Sequence, residues 1–340
     1  MLRTLQAQPG VSVTVLGNHR PVSKGIAARL LRRIRGPRPF VFSPGDAEGL
    51  DVVVAPVATR LVARFGAQLP CPCILVTDAT PAFLREFYGY DVPLEKDREE
   101  AQALGTAAQT VYSSHYMAKR AVEEFPGLDP ARVSALPFGI NFDSLPERVP
   151  VKPGLEQLEL LFIGQDWVRK GGALALDALN ELLSTGVKAR LTVIGASSPE
   201  AVAHPAVKVL GYLDKNDPAE AQQFTQALER AHLLVLPTRA DCTPMVVAEA
   251  NSHGCPVVIT DTGGIGSLVS AGVNGQMLPM AASGQEWAET IQALTAARES
   301  YTALSVSSFR HAHDRLTWDA WARGIIGLIG AGLKDNGHNR

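Results

Sequence analysis

The stretch LELLFIGQDWVRKGG, residues 158–172, contains a short apolar run that ends at Gly164 and a turn that leads into a helix beginning near Gly172. Apolar runs of the same kind recur along the chain, separated by segments with helical spacing. They lie at residues 11–17, 39–43, 51–57, 73–79 and 109–114, and again at 158–164, 189–195, 207–213, 231–237 and 256–261. This alternation predicts βαβ units and therefore parallel sheets.

The chain of 340 residues is too long for one ordinary α/β core and suits two domains. The alternation is interrupted at SLPERVPVKPGLEQ, residues 144–157, where three prolines disfavour both helix and central strand. We therefore predict an N-terminal domain over residues 1–147 and a C-terminal domain over residues 148–312. A third segment, 313–340, continues a helix predicted over about 308–332 and ends in a polar tail that we expect to be frayed.

The composition is typical of a soluble globular enzyme, with 46% hydrophobic and 19% charged residues. A formal net charge of -2 provides no basic field of the kind that attracts nucleic acid, so we expect no nucleic-acid partner. The four cysteines lack the spacing of a zinc site or a disulfide framework, and we expect reduced thiols. Because no apolar run reaches the ~18 residues of a membrane span and no signal peptide is evident, we expect a cytoplasmic protein.

The segment KGIAARLLRRIRG, residues 24–36, has apolar residues at helical spacing and ends at a Gly-Pro stop signal. Its polar face carries six cations between residues 24 and 38: Lys24, Arg29, Arg32, Arg33, Arg35 and Arg38. Such a helix can lie on anionic lipid at the inner membrane face or hold an anionic acceptor. It can equally be a solvated helix face, since it has no Trp or Phe on its apolar side.

The turn FIGQDWVRKGG, residues 162–172, is the first candidate for binding chemistry. A glycine-containing turn at a helix N-terminus offers free backbone N–H groups and the positive end of the helix dipole. Arg169 and Lys170 add full charges, so a pyrophosphate would fit there. The alternative is a simple strand-to-helix turn with surface cations.

The second candidate is RADCTPMVVAEANSHGCPVV, residues 239–258, in which Asp241 precedes a helix predicted from about Pro244 to His253 and Glu249 lies within it. Carboxylates accept hydrogen bonds from sugar and ribose hydroxyls. The alternative is an N-cap at Asp241 and a solvent-facing glutamate. Because the neighbours of Glu249 in the chain are apolar, we expect its carboxylate to have a partner.

The third candidate is DTGGIGSLV, residues 261–269, a strand end followed by a glycine turn and a predicted helix start. The backbone amides of Gly263, Gly264 and Ile265 can approach a phosphate or a sugar closely, because no Cβ intervenes at the glycines.

Taken in order, the Arg-Lys-Gly turn, the two acids separated by seven residues and HGCPVVITDTGGI resemble the C-terminal domain of family 4 retaining glycosyltransferases, over roughly residues 158–275. The resemblance implies the GT-B fold, in which two Rossmann-like parallel-sheet domains face a central cleft. Residues 1–147 would bind the acceptor, residues 148–312 the nucleotide-sugar donor, and the final helix would cross back to the first domain. It also implies sugar transfer with retention and without a metal or cofactor, from a UDP- or GDP-linked sugar to a hydroxyl of a glycan, a lipid-linked or a small-molecule acceptor.

Several site residues follow from the resemblance, matched position by position. The donor diphosphate would be held by Gly164, Arg169, Lys170, Gly263 and Gly264. The donor sugar and ribose would be held by Asp241, Cys242, Thr243, Pro244 and Glu249, with the sugar at Asp241 and the ribose at Glu249. The nucleobase would lie at Tyr212 and Leu213, mostly against backbone groups. The chain departs from the family pattern at Asp241, where the family has Glu, and in the adjacent spacing of Arg169 and Lys170.

The N-terminal half resembles the family more loosely, through YSSHYMAKRAVEEF at 112–125 and LPFGIN at 136–141. Within VTDATPAFLREFYG, residues 76–89, Asp78 stands where relatives place a polar residue facing the transferred sugar. Asp78, Lys170 and Asp241 are therefore the catalytic candidates. Asp78 can equally be the N-cap of a helix starting at Pro81, and Ser114 reads as an N-cap.

Retaining enzymes of this fold are thought to let the leaving phosphate help deprotonate the incoming hydroxyl, while Lys170, Arg169 and helix amides neutralise the departing charge. Two other functions stay open. One is a sugar-nucleotide-binding protein without catalysis, which the aspartate at 241 suggests. The other is an NAD-dependent dehydrogenase, although GNHRPVSKG at 17–25 is not a G-x-G-x-x-G fingerprint. We expect the two domains to close around the donor about a hinge at 146–154.

Overall fold

The computed structural model describes residues 1–16 and 42–332. They form two parallel sheets, one of four strands and one of six, which confirms the prediction of two parallel-sheet α/β units. The basic helix predicted at 24–36 and most of the strand predicted at 39–43 lie outside the described residues.

The N-terminal sheet has the order β1-β2-β3-β4, and every neighbouring pair is parallel. Its strands are β1 (Val53–Pro56), β2 (Cys73–Thr77), β3 (Gln109–Tyr112) and β4 (Val133–Ala135). The helices of this half are α1 (Leu2–Gln6), α2 (Thr59–Phe65), α3 (Pro81–Tyr88), α4 (Glu95–Thr106) and α5 (His115–Glu124). Strand β2 is buried at every position because both of its faces are covered, which explains its unbroken apolar sequence.

The C-terminal sheet has the order β10-β9-β8-β5-β6-β7, again with parallel pairs. Its strands are β5 (Leu158–Gly164), β6 (Ala189–Gly195), β7 (Val207–Gly211), β8 (Leu233–Leu236), β9 (Val257–Thr260) and β10 (Gly275–Leu278). The helices are α6 (Gly172–Ser184), α7 (Pro199–Ala203), α8 (Pro218–Arg230), α9 (Met245–Asn251), α10 (Gly284–Thr295), α11 (Arg298–Arg315) and α12 (Trp318–Gly332).

Helix α12 packs on the N-terminal sheet, although it follows the C-terminal sheet in the chain. Trp321 and Ile325 are buried in one apolar cluster with Ile74, Val76 and Val111. The opposite face of the same sheet is covered by α2, α4 and α5 through a separate cluster. The N-terminal core therefore needs α12 to complete it.

The strand predicted at 11–17 is wrong over its described part. Residues 11–16 form no regular element, and Val15 is 41% exposed. The alternation of apolar and polar residues satisfies the pattern of a half-buried strand, but no strand of the described ranges pairs with this segment. A strand without a neighbour leaves its backbone groups to water and gains no ladder.

The single helix predicted over about 308–332 is two helices in the structure. Helix α11 ends at Arg315 and α12 begins at Trp318. The Thr317 hydroxyl oxygen accepts a hydrogen bond from the Ala320 N–H at 3.1 Å, so this side chain caps the start of the second helix. The break turns the chain back toward the N-terminal domain.

The segment from residue 145 to 157 joins the two sheets without a regular helix or strand. Lys152, within it, donates a hydrogen bond from Nζ to the Leu228 carbonyl at 2.9 Å, which fastens the segment to α8. All four cysteines are free thiols. Across residues 1–16 and 42–332, we find no helix with the length and apolar character of a bilayer span.

Candidate functional site

The carboxyl ends of strands from both sheets meet at one place, where the two domains touch. The loop after β8 reaches the N-terminal domain at Asp78, Tyr88 and Ser113, and the segment after β9 reaches it where Ser267 accepts a hydrogen bond from the His115 N–H. In open parallel sheets, ligands bind outside the carboxyl ends of the strands. This junction is therefore the candidate functional site.

Lys170 and Asp241 form a buried ion pair at the centre of the junction. Lys170 Nζ lies 2.5 Å from Asp241 Oδ2, and the two side chains are only 13% and 6% exposed. Lys170 comes from the turn before α6, and its side chain passes over Gly164 so closely that a Cβ there would lie 2.8 Å from Lys170 Cγ. The glycine at the end of β5 therefore lets the lysine reach the loop after β8.

Two further hydroxyl groups approach the Asp241 carboxylate. Thr238 donates to Oδ2 and Tyr88 donates to Oδ1, each at 3.4 Å. These contacts are long compared with the 2.5 Å contact to Lys170. Lys170 therefore supplies most of the compensation for the buried negative charge.

Arg169, next to Lys170, is held by protein groups on several sides. Its Nη1 donates to the Ala240 carbonyl at 2.9 Å, and its Nε lies 3.4 Å from Asp166 Oδ2. The guanidinium carbon also lies 4.3 Å from the centre of the Tyr88 ring. Arg169 thus ties the turn after β5 to the loop after β8.

Glu249 lies on α9 and is 2% exposed. Its Oε1 is 2.5 Å from Lys215 Nζ, which supplies the partner expected for a carboxylate in apolar surroundings. Burial raises the pKa of Glu249, and the nearby lysine opposes that rise. Lys215 is itself held over the rings of Phe142 and Phe224, at 5.0 and 4.7 Å from their centres.

The helix caps exclude the structural alternatives for two of the acids. Helix α9 has Pro244 at its N-cap, so Asp241 does not cap it. Helix α3 is capped by Thr80, whose hydroxyl oxygen accepts from the Phe83 N–H at 3.2 Å, so Asp78 is not its cap. The N-cap predicted at Ser114 is present, and its hydroxyl oxygen accepts a hydrogen bond from the Met117 N–H.

Asp78 joins the two domains through hydroxyl groups. The Thr243 hydroxyl donates to Asp78 Oδ1 at 2.7 Å, and Ser113 also donates to that oxygen. Burial raises the pKa of Asp78, and the two hydrogen bonds partly offset this effect. Cys242, beside Thr243, is 1% exposed and packs into the core of the N-terminal domain, where burial raises the pKa of its thiol.

In the glycine turn after β9, two of the three backbone amides expected to approach a ligand are hydrogen-bonded within the protein. The Gly264 N–H donates to the Asp241 carbonyl at 3.1 Å, and the Ile265 N–H to the Thr262 carbonyl at 3.3 Å, so neither amide points to an open site. A Cβ on Gly263 would overlap the Asp241 carbonyl, and one on Gly264 would overlap the Cys242 carbonyl. Because Gly263 and Gly264 have no Cβ, the turn after β9 can pack closely against the loop after β8. The helix predicted there is a short 3-10 turn, Ile265–Ser267.

The residues expected at the nucleobase lie after β7, in the segment that leads to Lys215. Tyr212 is 66% exposed, whereas Leu213 is 8% exposed and belongs to the C-terminal core. Of these two side chains, only the tyrosine ring is exposed. Over the described parts of the chain, no three His, Cys, Asp or Glu side chains are close enough together to hold a metal ion.

The structure thus brings Asp78, Lys170 and Asp241 to one junction, with Glu249 on the helix that follows it. Tyr88, which contacts both Asp241 and Arg169, was missed by the sequence reasoning. Its only sequence signal is the helix end at Gly89, a residue with φ of 65°.

Comparison with known proteins finds a family match over part of the chain. Residues 157–297 match the family model described as glycosyl transferases group 1. D-inositol 3-phosphate glycosyltransferases of Segniliparus rotundus and Xylanimonas cellulosilytica are 25% and 27% identical over 71% and 72% of this chain. These matches cover 56% and 62% of the two relatives, so the chain spans little more than half the length of such relatives.

Solved structures resemble the fold over most of the chain. HepE of Anabaena in complex with UDP has a TM-score of 0.64 at 17% identity, covering 85% of this chain and 80% of HepE. Sucrose-phosphate synthase of Thermosynechococcus elongatus has a TM-score of 0.62 at 16% identity, covering 82% and 73%. Residues 157–297 therefore match the glycosyl transferases group 1 family, and the chain has the two-domain GT-B fold of the glycosyltransferases that it resembles.

Proposed function

We propose that this protein is a glycosyltransferase that moves a sugar from a nucleotide-diphospho-sugar to a hydroxyl acceptor. The observation that carries the proposal is the buried Lys170–Asp241 pair at the junction of the two domains. A cation from the turn before α6 and an acid from the loop after β8 provide the two kinds of group that a sugar diphosphate needs.

In this proposal Lys170 exchanges Asp241 for the donor diphosphate when the donor binds. Asp241 then accepts hydrogen bonds from the sugar, and Glu249 accepts them from the ribose. The bond between the anomeric carbon and the diphosphate oxygen breaks, and a bond to the acceptor oxygen forms on the same face. The acceptor proton passes to the leaving diphosphate, whose charge Lys170 and the N-terminal end of α6 stabilise.

We propose that each of the two domains binds one substrate. Residues 148–312 bind the donor, residues 1–147 bind the acceptor, and no cofactor or metal takes part. HepE, which has the same fold, binds UDP and UDP-glucose, which supports a UDP-linked hexose as the first donor to test. The names of the relatives make a small polyol phosphate the first acceptor to test. We further propose a cytoplasmic location.

The first experiment is thermal unfolding with UDP, GDP, ADP or NAD in separate samples. A ligand at ~100 times its dissociation constant adds about 2.7 kcal/mol, which raises the melting temperature by several degrees. We expect a shift with one nucleoside diphosphate, followed by transfer of its sugar. A shift with NAD alone would refute the transferase, and a nucleotide shift without transfer or donor hydrolysis would favour a binding protein.

A pair of matched variants locates the donor site. Glu249→Gln removes the charge of one buried glutamate, and we expect nucleoside diphosphate binding to weaken by about 1–3 kcal/mol. Glu100→Gln makes the same change at a glutamate of the N-terminal domain that is 3% exposed, against 2% for Glu249, and should leave that affinity unchanged. Calorimetric titration measures both. Wild-type affinity in Glu249→Gln, or equal losses in the two variants, would contradict the assignment.

A further inference from the structure

One side chain of the N-terminal domain reaches across the junction to the centre of the candidate site. Tyr88 is the last residue of α3, and Gly89 ends that helix in the left-handed conformation with φ of 65°. The fully buried Phe83 packs against the Tyr88 ring at 5.8 Å between centres. The helix end and the packed phenylalanine together aim Tyr88 at the other domain.

The Tyr88 hydroxyl holds one loop of the C-terminal domain at two points. It accepts a hydrogen bond from the Cys242 N–H at 3.2 Å and donates to Asp241 Oδ1 at 3.4 Å. A tyrosine hydroxyl can donate and accept at once, so the two contacts are compatible. Burial raises the pKa of Tyr88, and the charge of Asp241 adds to that effect, so the hydroxyl keeps the proton that it donates.

The ring of Tyr88 makes a third contact, with Arg169. The guanidinium carbon stands 4.3 Å from the ring centre, a distance at which a cation is attracted to an aromatic face. Arg169 and Asp241 belong to the turn after β5 and the loop after β8. One tyrosine therefore fixes both loops of the C-terminal domain that flank Lys170.

We propose that Tyr88 is the positioning residue through which the N-terminal domain holds Asp241 and Arg169 in the arrangement that sugar transfer requires. The inference rests on the proposed function and extends it, because it makes the donor site complete only when the two domains are together. All three Tyr88 contacts cross the domain junction, so a separation of a few ångströms would break all of them at once.

If Tyr88 has this role, loss of its hydroxyl should lower kcat without weakening the binding of the nucleoside diphosphate. Tyr88→Phe keeps the ring that faces Arg169 and removes only the hydroxyl contacts to Asp241 and Cys242, so the affinity for the diphosphate should change little. The chemical step requires Asp241 in place, so kcat should depend on the Tyr88 hydroxyl. A residue that only stabilised the fold would affect neither quantity at a temperature where the variant stays folded.

The test compares Tyr88→Phe, Tyr88→Leu and the control Tyr90→Phe. Tyr90 packs edge-on against Tyr88 at 5.4 Å between ring centres and is 53% exposed, so its variant samples the same surroundings. In Tyr88→Phe we expect the nucleoside diphosphate Kd to stay within about twofold and kcat to fall about tenfold, which corresponds to ~1.4 kcal/mol. Tyr88→Leu also loses the ring, so its kcat should fall further, and Tyr90→Phe should match the wild type.

Three outcomes would overturn the inference: wild-type kcat in Tyr88→Phe, an equal loss in Tyr90→Phe, or a loss of nucleotide affinity in Tyr88→Phe as large as the loss of kcat. Wild-type protein that neither binds a nucleoside diphosphate nor transfers sugar would instead refute the proposed function. In that case urea unfolding of Tyr88→Phe, Asp241→Asn and the double variant tests the contact between Tyr88 and Asp241. If the changes in the free energy of unfolding are additive, the contact does not stabilise the protein and the inference is overturned. A coupling of more than about threefold in the unfolding constant would support the contact.

Discussion

Replacing Lys170 with methionine tests how much the buried ion pair at the domain junction contributes to the stability of the fold. The substitution keeps an unbranched side chain of similar length against Gly164 but removes the charge 2.5 Å from Asp241. The remaining side-chain donors to that carboxylate, Thr238 and Tyr88, are each 3.4 Å away. The variant therefore leaves a carboxylate with 6% side-chain exposure and only long hydrogen bonds.

The size of the effect follows from that burial. Removing one partner of a buried ion pair costs about 3–5 kcal/mol, and the 13% exposure of Lys170 places this pair at the lower end. For a domain of this size, each kcal/mol lowers the melting temperature by roughly 2–4 °C. We expect Lys170→Met to lower the C-terminal transition by about 6–12 °C. Adding Asp241→Asn removes the orphan charge and should restore most of the loss.

Differential scanning calorimetry of the two single variants and the double variant measures this directly. Lys188→Met, an exposed lysine of the same domain, is the control and should shift the transition by no more than about 1–2 °C. The double variant should regain stability but not sugar transfer, which separates folding from function. A Lys170→Met protein that melts within about 2 °C of the wild type would refute the reasoning, as would a double variant that is less stable than Lys170→Met.

Two more predictions concern the N-terminal domain and the junction. Burial raises the pKa of Glu100 to about 7 from 4.5, so its contribution to stability is complete below pH 4.5 and is lost as the pH rises through about 7. Glu100→Gln should therefore gain about 2–3 kcal/mol over the wild type at pH 8 and much less at pH 5, in urea unfolding; equal gains at the two pH values would contradict this. A Cβ on Gly264 would overlap the Cys242 carbonyl and the Ser114 hydroxyl, so Gly264→Ala should destabilise by about 2 kcal/mol or more in thermal unfolding. Gly266→Ala, where no atom lies within 4 Å, is its control, and equal losses in the two variants would remove the clash as the cause.

The sequence predicts the strands of the C-terminal sheet best where both faces are covered. The run at 158–164 coincides with β5, since a strand buried on both sides must be apolar throughout. Strand β10, GQML at Gly275–Leu278, was not predicted because a short edge strand needs no such run. The error at 11–16 has a different cause: alternation describes a strand, but within the described residues no strand pairs with this segment.

The sequence could predict individual residues of the candidate site, but not the contacts between residues that are far apart in the chain. Lys170 and Asp241 stand at the ends of strands, and each is recognisable beside a turn, but their contact spans 71 positions in the chain. The contact between Tyr88 and Asp241 spans 153 positions and joins two domains, so no local pattern encodes it. A glycine at position 264 is compatible both with a phosphate-binding turn and with close packing of two loops. Only the three-dimensional structure shows that Gly264 packs against the neighbouring loop.

The final helix α12 affects the order in which the protein can fold. Val111 and Trp321, which share one core cluster, are about 200 residues apart, so at about 5–20 residues per second the ribosome needs roughly 10–40 s to make the second after the first. During that interval the apolar face formed by Ile74, Val76 and Val111 lacks the cover that Trp321 and Ile325 provide. The N-terminal sheet is therefore synthesised before the C-terminal domain, but its core is completed only after it. A nascent chain halted within the C-terminal domain would expose apolar side chains of that sheet to chaperones and to other chains.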